Sequence, residues 1–306
     1  DKVAIRFGER TTTYAEFDRA ANQVANGLRA LGIGRGDKVA LACPNLPYFP
    51  IAYYGILKLG AVVVPINVLL KGAEIAYHLK DSDSRAFLCF EGTPDLPLGQ
   101  AGWDGFREAG TCEHFALIMG DPSKPAPIEG ANTLAQLMRD QSASCDLALT
   151  AADDTAVILY TSGTTGRPKG AMHSHRGLVY TTRGYNTLIA QDERDERMCF
   201  LPLCHIAERM GGEYFSLYTG AKLNFVENPE TVPENVREIA PTVFTAVPRV
   251  WEKFYSGVMI TLKEASPLQR AVYGWAIGVG RKIADLVLAG QAVSGGLKAQ
   301  FTLARW

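Results

Sequence analysis

"TTTYAEFDRAANQVANGLRALGIGRGDKVALAC", residues 11–43, reads as a helix that runs into a strand. Thr13 and Glu16 stand three apart, the spacing of a capping box that opens a helix. Phe17, Ala21, Val24, Leu28 and Leu31 then recur at helical spacing. Gly32 ends the run, and Lys38 to Ala42 is an apolar strand. The same unit recurs further along. A helix from about Pro47 to Leu59 precedes the buried strand Ala61 to Pro65, and a helix from Ala73 to Lys80 precedes the strand Arg85 to Phe90. Alternation at this spacing is that of right-handed βαβ units. The expected fold class is therefore α/β, with layered, parallel-rich sheets flanked by helices.

Before this stretch, residues 3–13 look like an interrupted strand pair. After it, Glu91 to Ala151 is less regular: a strand at Phe115 to Met119, a proline-rich loop at Asp121 to Pro127, and a short helix near Leu134 to Arg139. The alternation resumes after Asp154. Arg249 to Lys263 and Leu268 to Leu288 read as two amphipathic helices.

Composition narrows the function. Hydrophobic residues make up 47% and charged residues 21%, which is globular, and a formal net charge of -1 gives no reason to expect a nucleic-acid partner. The six cysteines, at 43, 89, 112, 145, 199 and 204, form no CxxC pair, so they read as mostly buried thiols of a reducing compartment. No apolar run reaches the roughly 18 residues of a membrane span. The chain begins with Asp1 rather than Met, and the expectation is a fragment cut from a longer protein at both ends.

"LYTSGTTGRPKG", Leu159 to Gly170, carries the chemistry. It follows a buried strand, Thr155 to Tyr160. Its glycines let successive backbone N–H groups turn toward one point and form an anion nest. The hydroxyls add neutral donors and can ligate a magnesium ion, and Lys169 adds a full positive charge. Each hydrogen bond to a charged oxygen contributes roughly 1.5–3 kcal/mol, so several together hold a polyphosphate. The pattern is not a Walker A loop, which needs a Gly-Lys-Ser/Thr ending. The plain alternative is a Thr/Ser-rich surface turn.

This twelve-residue run resembles the signature of the adenylate-forming superfamily, which includes acyl-CoA synthetases, non-ribosomal peptide adenylation domains and luciferases. "TYAEFDRAANQVANGLRALGIGRGDKVAL" and "YYGILKLGAVVVPIN" look like its first helix–strand units, and "FLPLCHIAERMGG" looks like its next core motif. "PTVFTAVPRVWEKF" is most similar to long-chain fatty acyl-CoA synthetases. The resemblance implies the large N-terminal lobe of that fold, truncated, with subdomains at 1–150 and 151–306 and the C-terminal lobe absent. It implies that Thr161, Ser162, Gly163, Thr164, Thr165, Gly166 and Lys169 bind the phosphates of ATP. It further implies that Thr161 helps bind Mg²⁺ and that His205 lies near the acyl substrate and the adenylate. The implied reaction is attack of a carboxylate on ATP to give an acyl-adenylate, then thioester formation with coenzyme A. Peripheral contact with a membrane would suit an insoluble acid in an otherwise cytoplasmic enzyme. The family's adenine, ribose and catalytic-lysine motifs do not occur within residues 1–306, so this segment is expected to turn over poorly alone.

Three readings stay open. One is a fatty acid–CoA ligase. A second is another adenylate-forming enzyme: an aryl-CoA ligase, a fatty acyl-AMP ligase or an amino-acid adenylation domain. The third is a non-catalytic nucleotide-binding remnant. Other residues read as structural. His173 and His175 mark a helix start, Arg249 and Trp251 pack and pair, and Glu208 and Glu213 form a solvated helix face.

Overall fold

The computed structural model describes residues 1–161 and 166–305. Two compact units divide the chain, Asp1–Thr245 and Ala246–Trp306. The first begins with β1 (Val3–Phe7) and β2 (Arg10–Thr13), an antiparallel pair. The capping box then starts α1 (Tyr14–Ala30) as the spacing predicts. The Glu16 N–H donates to Thr13 Oγ1 at 3.2 Å, and the Thr13 N–H donates to the Glu16 carboxylate at 2.8 Å. There follow β3 (Lys38–Ala42), α2 (Tyr48–Lys58), β4 (Val62–Pro65), α3 (Gly72–Asp81) and β5 (Ser84–Phe90). The irregular stretch holds α4 (Leu98–Ala109), β6 (His114–Ile118), β7 (Asn132–Thr133) and α5 (Leu134–Met138). Next come β8 (Thr155–Thr161), β9 (Lys169–Ser174), α6 (His175–Leu188) and β10 (Glu196–Cys199). The unit closes with α7 (Ile206–Glu208), a π-helical turn (Arg209–Tyr214), α8 (Phe215–Thr219), β11 (Lys222–Phe225) and α9 (Val232–Ile239).

The larger sheet has the order β7-β6-β5-β3-β4-β8-β9. Every neighbouring pair is parallel except β8 with β9. The smaller sheet has the order β10-β11-β1-β2, and both β10 and β1 run parallel to β11. The fold is thus α/β with layered, parallel-rich sheets. Sheet membership does not divide at residue 150. β8 and β9 complete the larger sheet from beyond that point, while β1 and β2 reach forward to join the smaller one.

The crossover from β3 through α2 to β4 and the one from β4 through α3 to β5 run in opposite directions across the sheet. Right-handed connections therefore put α2 and α3 on opposite faces. α2 packs on α1, and α3 packs on α4. With both faces covered, the central strands are apolar without alternation: Val39, Ala40, Leu41, Val63, Val64 and Phe87 are fully buried. The reversal between β3 and β4 makes a topological switch point, and crevices for ligands open outside the carboxyl ends of strands at such points.

The second unit holds α10 (Pro248–Glu264), α11 (Pro267–Leu288) and α12 (Gly295–Ala304), with α11 packed on α12. Pro248 and Pro267 sit in the first turns of their helices, where a missing N–H costs nothing. No helix among the described residues is long and apolar enough to cross a membrane.

Candidate functional site

β8 runs parallel to β4, so Thr161 ends β8 at the carboxyl edge of the larger sheet. The chain then returns as β9, and the hairpin sets Thr161 and Lys169 directly opposite each other, both exposed. A hydroxyl and an ammonium group therefore flank the loop end of one hairpin. Gly166 is exposed with φ +106°, a conformation that glycine adopts without strain. Ser162, Gly163, Thr164 and Thr165 lie outside the described residues.

α3 anchors the returning arm. The Tyr77 hydroxyl donates to the Pro168 carbonyl at 2.8 Å, and the Arg167 guanidinium lies 5.4 Å from the Tyr77 ring centre. The other arm is held alongside. The Tyr160 hydroxyl donates to Asp81 Oδ2 at 2.7 Å, and the His78 ring meets the Tyr160 ring edge-on at 4.3 Å. Burial, and secondarily the Asp81 carboxylate, push the Tyr160 phenol upward, so it stays a neutral donor. His78 Nδ1 donates to the Glu74 carbonyl at 2.6 Å, which fixes the ring. Nothing in the sequence pattern singled out Tyr77 or Asp81, because their partners lie some eighty residues or more away.

His205 lies in the loop after β10, at the N-terminal boundary of α7, and is exposed. Its N–H donates to the Pro202 carbonyl at 3.0 Å, which tightens the loop below it. This loop docks on the larger sheet through Asn45, just past the carboxyl end of β3. Asn45 Nδ2 donates to the Leu201 carbonyl at 2.7 Å, and Asn45 Oδ1 accepts from the Leu203 N–H at 3.0 Å. The hairpin end and the His205 loop thus share the carboxyl edge of the parallel strands. His175 occupies the helix-start place expected of it, next to the N-cap Ser174, with His173 on β9 before it.

Glu208 and Glu213 require a correction. They are not a solvated face: they are 4% and 3% exposed. Burial pushes Glu208 up to about 7, against the pull of the Leu201 N–H, the Cys199 thiol, the Phe200 N–H and Arg197. Burial pushes Glu213 up to about 8, against the Arg209 guanidinium. Arg209 is itself fully buried, 5.7 Å from the Tyr53 ring centre, and its three guanidinium nitrogens have no hydrogen-bond partner among the described residues. The Tyr53 and Tyr214 hydroxyls bond to each other beside it. A π-helical turn carries this cluster, and such turns often occur at functional sites. The expectation failed because Glu208 precedes, and Glu213 lies within, a turn wider than an α-helix, which faces the protein interior.

A profile of the AMP-binding enzyme family matches residues 1–301, nearly the whole chain, and the chain belongs to that family. It is similar to the long-chain-fatty-acid–CoA ligase FadD13 of Mycobacterium tuberculosis strain H37Rv, with 35% identity over 198 residues, 64% of this chain and 36% of that protein. It is also similar to the 3-hydroxybenzoate/4-hydroxybenzoate–CoA ligase of Thauera aromatica, with 36% identity over 185 residues, 60% of this chain and 33% of that protein. Among solved structures, the inhibitor-bound N-terminal domain of FACL13 from Mycobacterium tuberculosis matches with a TM-score of 0.69 and 31% identity. That match covers 81% of this chain and 60% of that one. The chain spans about a third of the length of these curated relatives.

Proposed function

We propose that the chain is the ATP- and acid-binding part of a fatty acid–CoA ligase that works through an acyl-adenylate. The observation that carries this reading is the hairpin with Thr161 facing Lys169 at the carboxyl edge of a parallel sheet, in a chain of the AMP-binding family. The relatives named as fatty-acid–CoA ligases support the substrate class.

In this reading, Thr161 to Gly166 and Lys169 hold the β- and γ-phosphates of ATP. The fatty carboxylate attacks the α-phosphorus, the bond to the bridging oxygen breaks, and pyrophosphate leaves with that electron pair. The thiol of coenzyme A then adds to the acyl carbonyl, loses its proton and expels AMP. Charge grows on phosphate oxygens in the first step, where donors fixed in advance lower the barrier most. His205 sits beside the acyl group. Among the described residues no group of three or more His, Cys, Asp or Glu could hold a metal ion. The exposed Thr161 hydroxyl fits Mg²⁺ only as an ion brought in on the phosphates, the usual mode for that ion with nucleotides. Bound there, Mg²⁺ would neutralise phosphate charge. The reading goes with a cytoplasmic enzyme, with contact at a membrane surface only where the acid is insoluble. It also expects residues 1–306 alone to turn over poorly.

The test is carboxylate-dependent ATP–pyrophosphate exchange by the full-length protein, with acetate, octanoate, palmitate, benzoate and mixed amino acids side by side. Exchange is expected with octanoate or palmitate. A second reading, an aryl-CoA ligase, is favoured by the equally similar hydroxybenzoate relative, and exchange with benzoate alone would establish it. Exchange with amino acids alone would make the protein an adenylation enzyme of another kind. Formation of acyl-adenylate without transfer to coenzyme A would point to an acyl-AMP ligase. No exchange with any acid would leave a nucleotide-binding remnant and overturn the proposal.

A further inference from the structure

We propose that Asn45 and Glu208 are positioning residues that together set the conformation of the 201–205 loop and thereby the place of His205 in the reaction. The proposal rests on the reading above, in which His205 meets the acyl group. Neither side chain is needed to terminate an element, and both are spent on the same few peptide groups. Asn45 takes the Leu201 carbonyl and the Leu203 N–H with its two amide atoms, as a strand's backbone would, and its Nδ2 also lies 3.4 Å from Cys199 Sγ. Glu208 Oε2 accepts the remaining polar group of Leu201, its N–H, at 2.9 Å. The Leu201 peptide groups are therefore held from two directions. Asn45 comes from the larger sheet, and Glu208 from the helix that follows His205.

Two further features show that the placement of Glu208 is specific. A carboxylate is almost never buried this deeply without a partner, because desolvation penalises its charged form. Gly212 faces it, and a Cβ on Gly212 would stand 2.5 Å from Glu208 Oε1. The π-helical turn brings that glycine under the carboxylate. His205 follows Leu203 by two residues, and its carbonyl accepts the Arg209 N–H at 3.4 Å. A loop fixed at 201 and 203 on one side and at 205 on the other leaves the histidine little backbone freedom, and a group held by a supporting shell of this kind is preorganised.

The test uses the full-length protein and two readouts. Hydrogen exchange reads the clamp directly. The Leu201 amide is expected to exchange faster in Glu208→Ala and the Leu203 amide faster in Asn45→Ala. Exchange unchanged from wild type at both would overturn the proposal. ATP–pyrophosphate exchange reads the consequence. Asn45→Ala and Glu208→Ala are each expected to lower kcat by about 10-fold or more, with the KM for ATP within about twofold. Placed on a His205→Ala background, each is expected to add little further loss, because they act through that side chain. Losses that multiply instead, or a raised KM for ATP, would assign a merely structural role and overturn the proposal. Glu208→Gln keeps an acceptor for the Leu201 N–H and is expected to rescue most of the rate. Gly212→Ala displaces the carboxylate without removing it and is expected to mimic Glu208→Ala. Those two variants carry the test if the alanine variants do not fold. A His205→Ala protein with wild-type exchange would instead sink the reading of the site, and the positioning role with it. Faster Leu201 and Leu203 amide exchange would then still report the clamp, so the two failures are told apart.

Discussion

The hairpin of β8 and β9 and the turn that follows His205 both carry charge, and they treat it in opposite ways. At the hairpin, Lys169 stands exposed at the end of an edge strand, opposite an exposed Thr161. In the turn, Arg209, Glu208 and Glu213 are taken almost wholly out of water. An exposed ammonium keeps its charge cheaply and can meet an anionic ligand. A buried carboxyl gives up its charge near neutral pH, as the upward shifts of Glu208 and Glu213 record. The proposed roles follow that difference: the first region to bind, the second to hold a loop in place. Substitutions at Arg209 and Glu213 should therefore be read first in stability, and substitutions at the hairpin in turnover.

The largest expected effect is on the dependence of stability on pH. Glu213 has a folded pKa of about 8, above the ordinary 4.5. Between those values the folded protein binds more protons than the unfolded chain, so stability falls as pH rises. The contribution is complete below about pH 4.5 and lost above about pH 8, and it amounts to as much as about 5 kcal/mol. Urea unfolding at pH 5, 6.5 and 8.5 should show this decline, to which Glu208 adds, and Glu213→Gln should make it shallower without abolishing it. Parallel curves for the two proteins would mean that Glu213 is not buried as a carboxylic acid. Next in size, Arg209→Ala should cost about 3 kcal/mol, from the cavity left beside Tyr53. Arg209→Met, which fills the same space without charge, should be near neutral or stabilising, since burying a guanidinium is costly in itself. A destabilised Met variant would show that the charge, rather than the volume, supports the turn.

The contrast also divides what the sequence makes legible. α1 announced itself through Thr13 and Glu16, and α10 and α11 appeared within a residue or two of their expected limits. α4 did not, for a physical reason. Its buried face includes, with Leu98 and Ala109, the glycines Gly99, Gly102 and Gly105, which approach the Glu91 carbonyl, Cys89 Sγ and the Gly72 carbonyl so closely that a Cβ would stand about 2.5–2.7 Å away. Glycine is a poor helix former, so three of them within seven residues read as a loop rather than a helix. β9 was silent because KGAMHS is an exposed edge strand with no alternation to detect. β1 joins the sheet of β10 and β11 through pairs more than two hundred residues apart, which no local pattern encodes. Lys169 and Thr161 were legible as candidates because their residue types and spacing suggest a chemistry, and the structure sets them opposite each other. Asn45 was not, because its partners are the backbone of a distant loop.

The hairpin predictions are smaller in stability and run the other way. Lys169→Ala should lower ATP–pyrophosphate exchange of the full-length protein about 10- to 100-fold, the loss of one hydrogen bond to a charged oxygen. Its unfolding free energy should stay within about 0.5 kcal/mol of wild type, as for other exposed substitutions. A matching loss of stability would erase the contrast with Arg209.

Gly170→Ala probes the hairpin from behind. Gly170 lies opposite Tyr160 in the ladder, and a Cβ there would stand 2.6 Å from Ile158 Cγ2 and 3.3 Å from Tyr160 Cζ. Relief requires β9 to shift away from β8, or Ile158 to turn aside and Tyr160 to leave its bond to Asp81. Either movement disturbs the register that sets Thr161 against Lys169. The expected cost is about 1–2 kcal/mol of stability. A rise in the KM for ATP should accompany it, with the Leu201 amide exchanging at the wild-type rate. If that amide also exchanged faster, the two regions would be one mechanical unit. The binding hairpin and the clamped loop would then share their support.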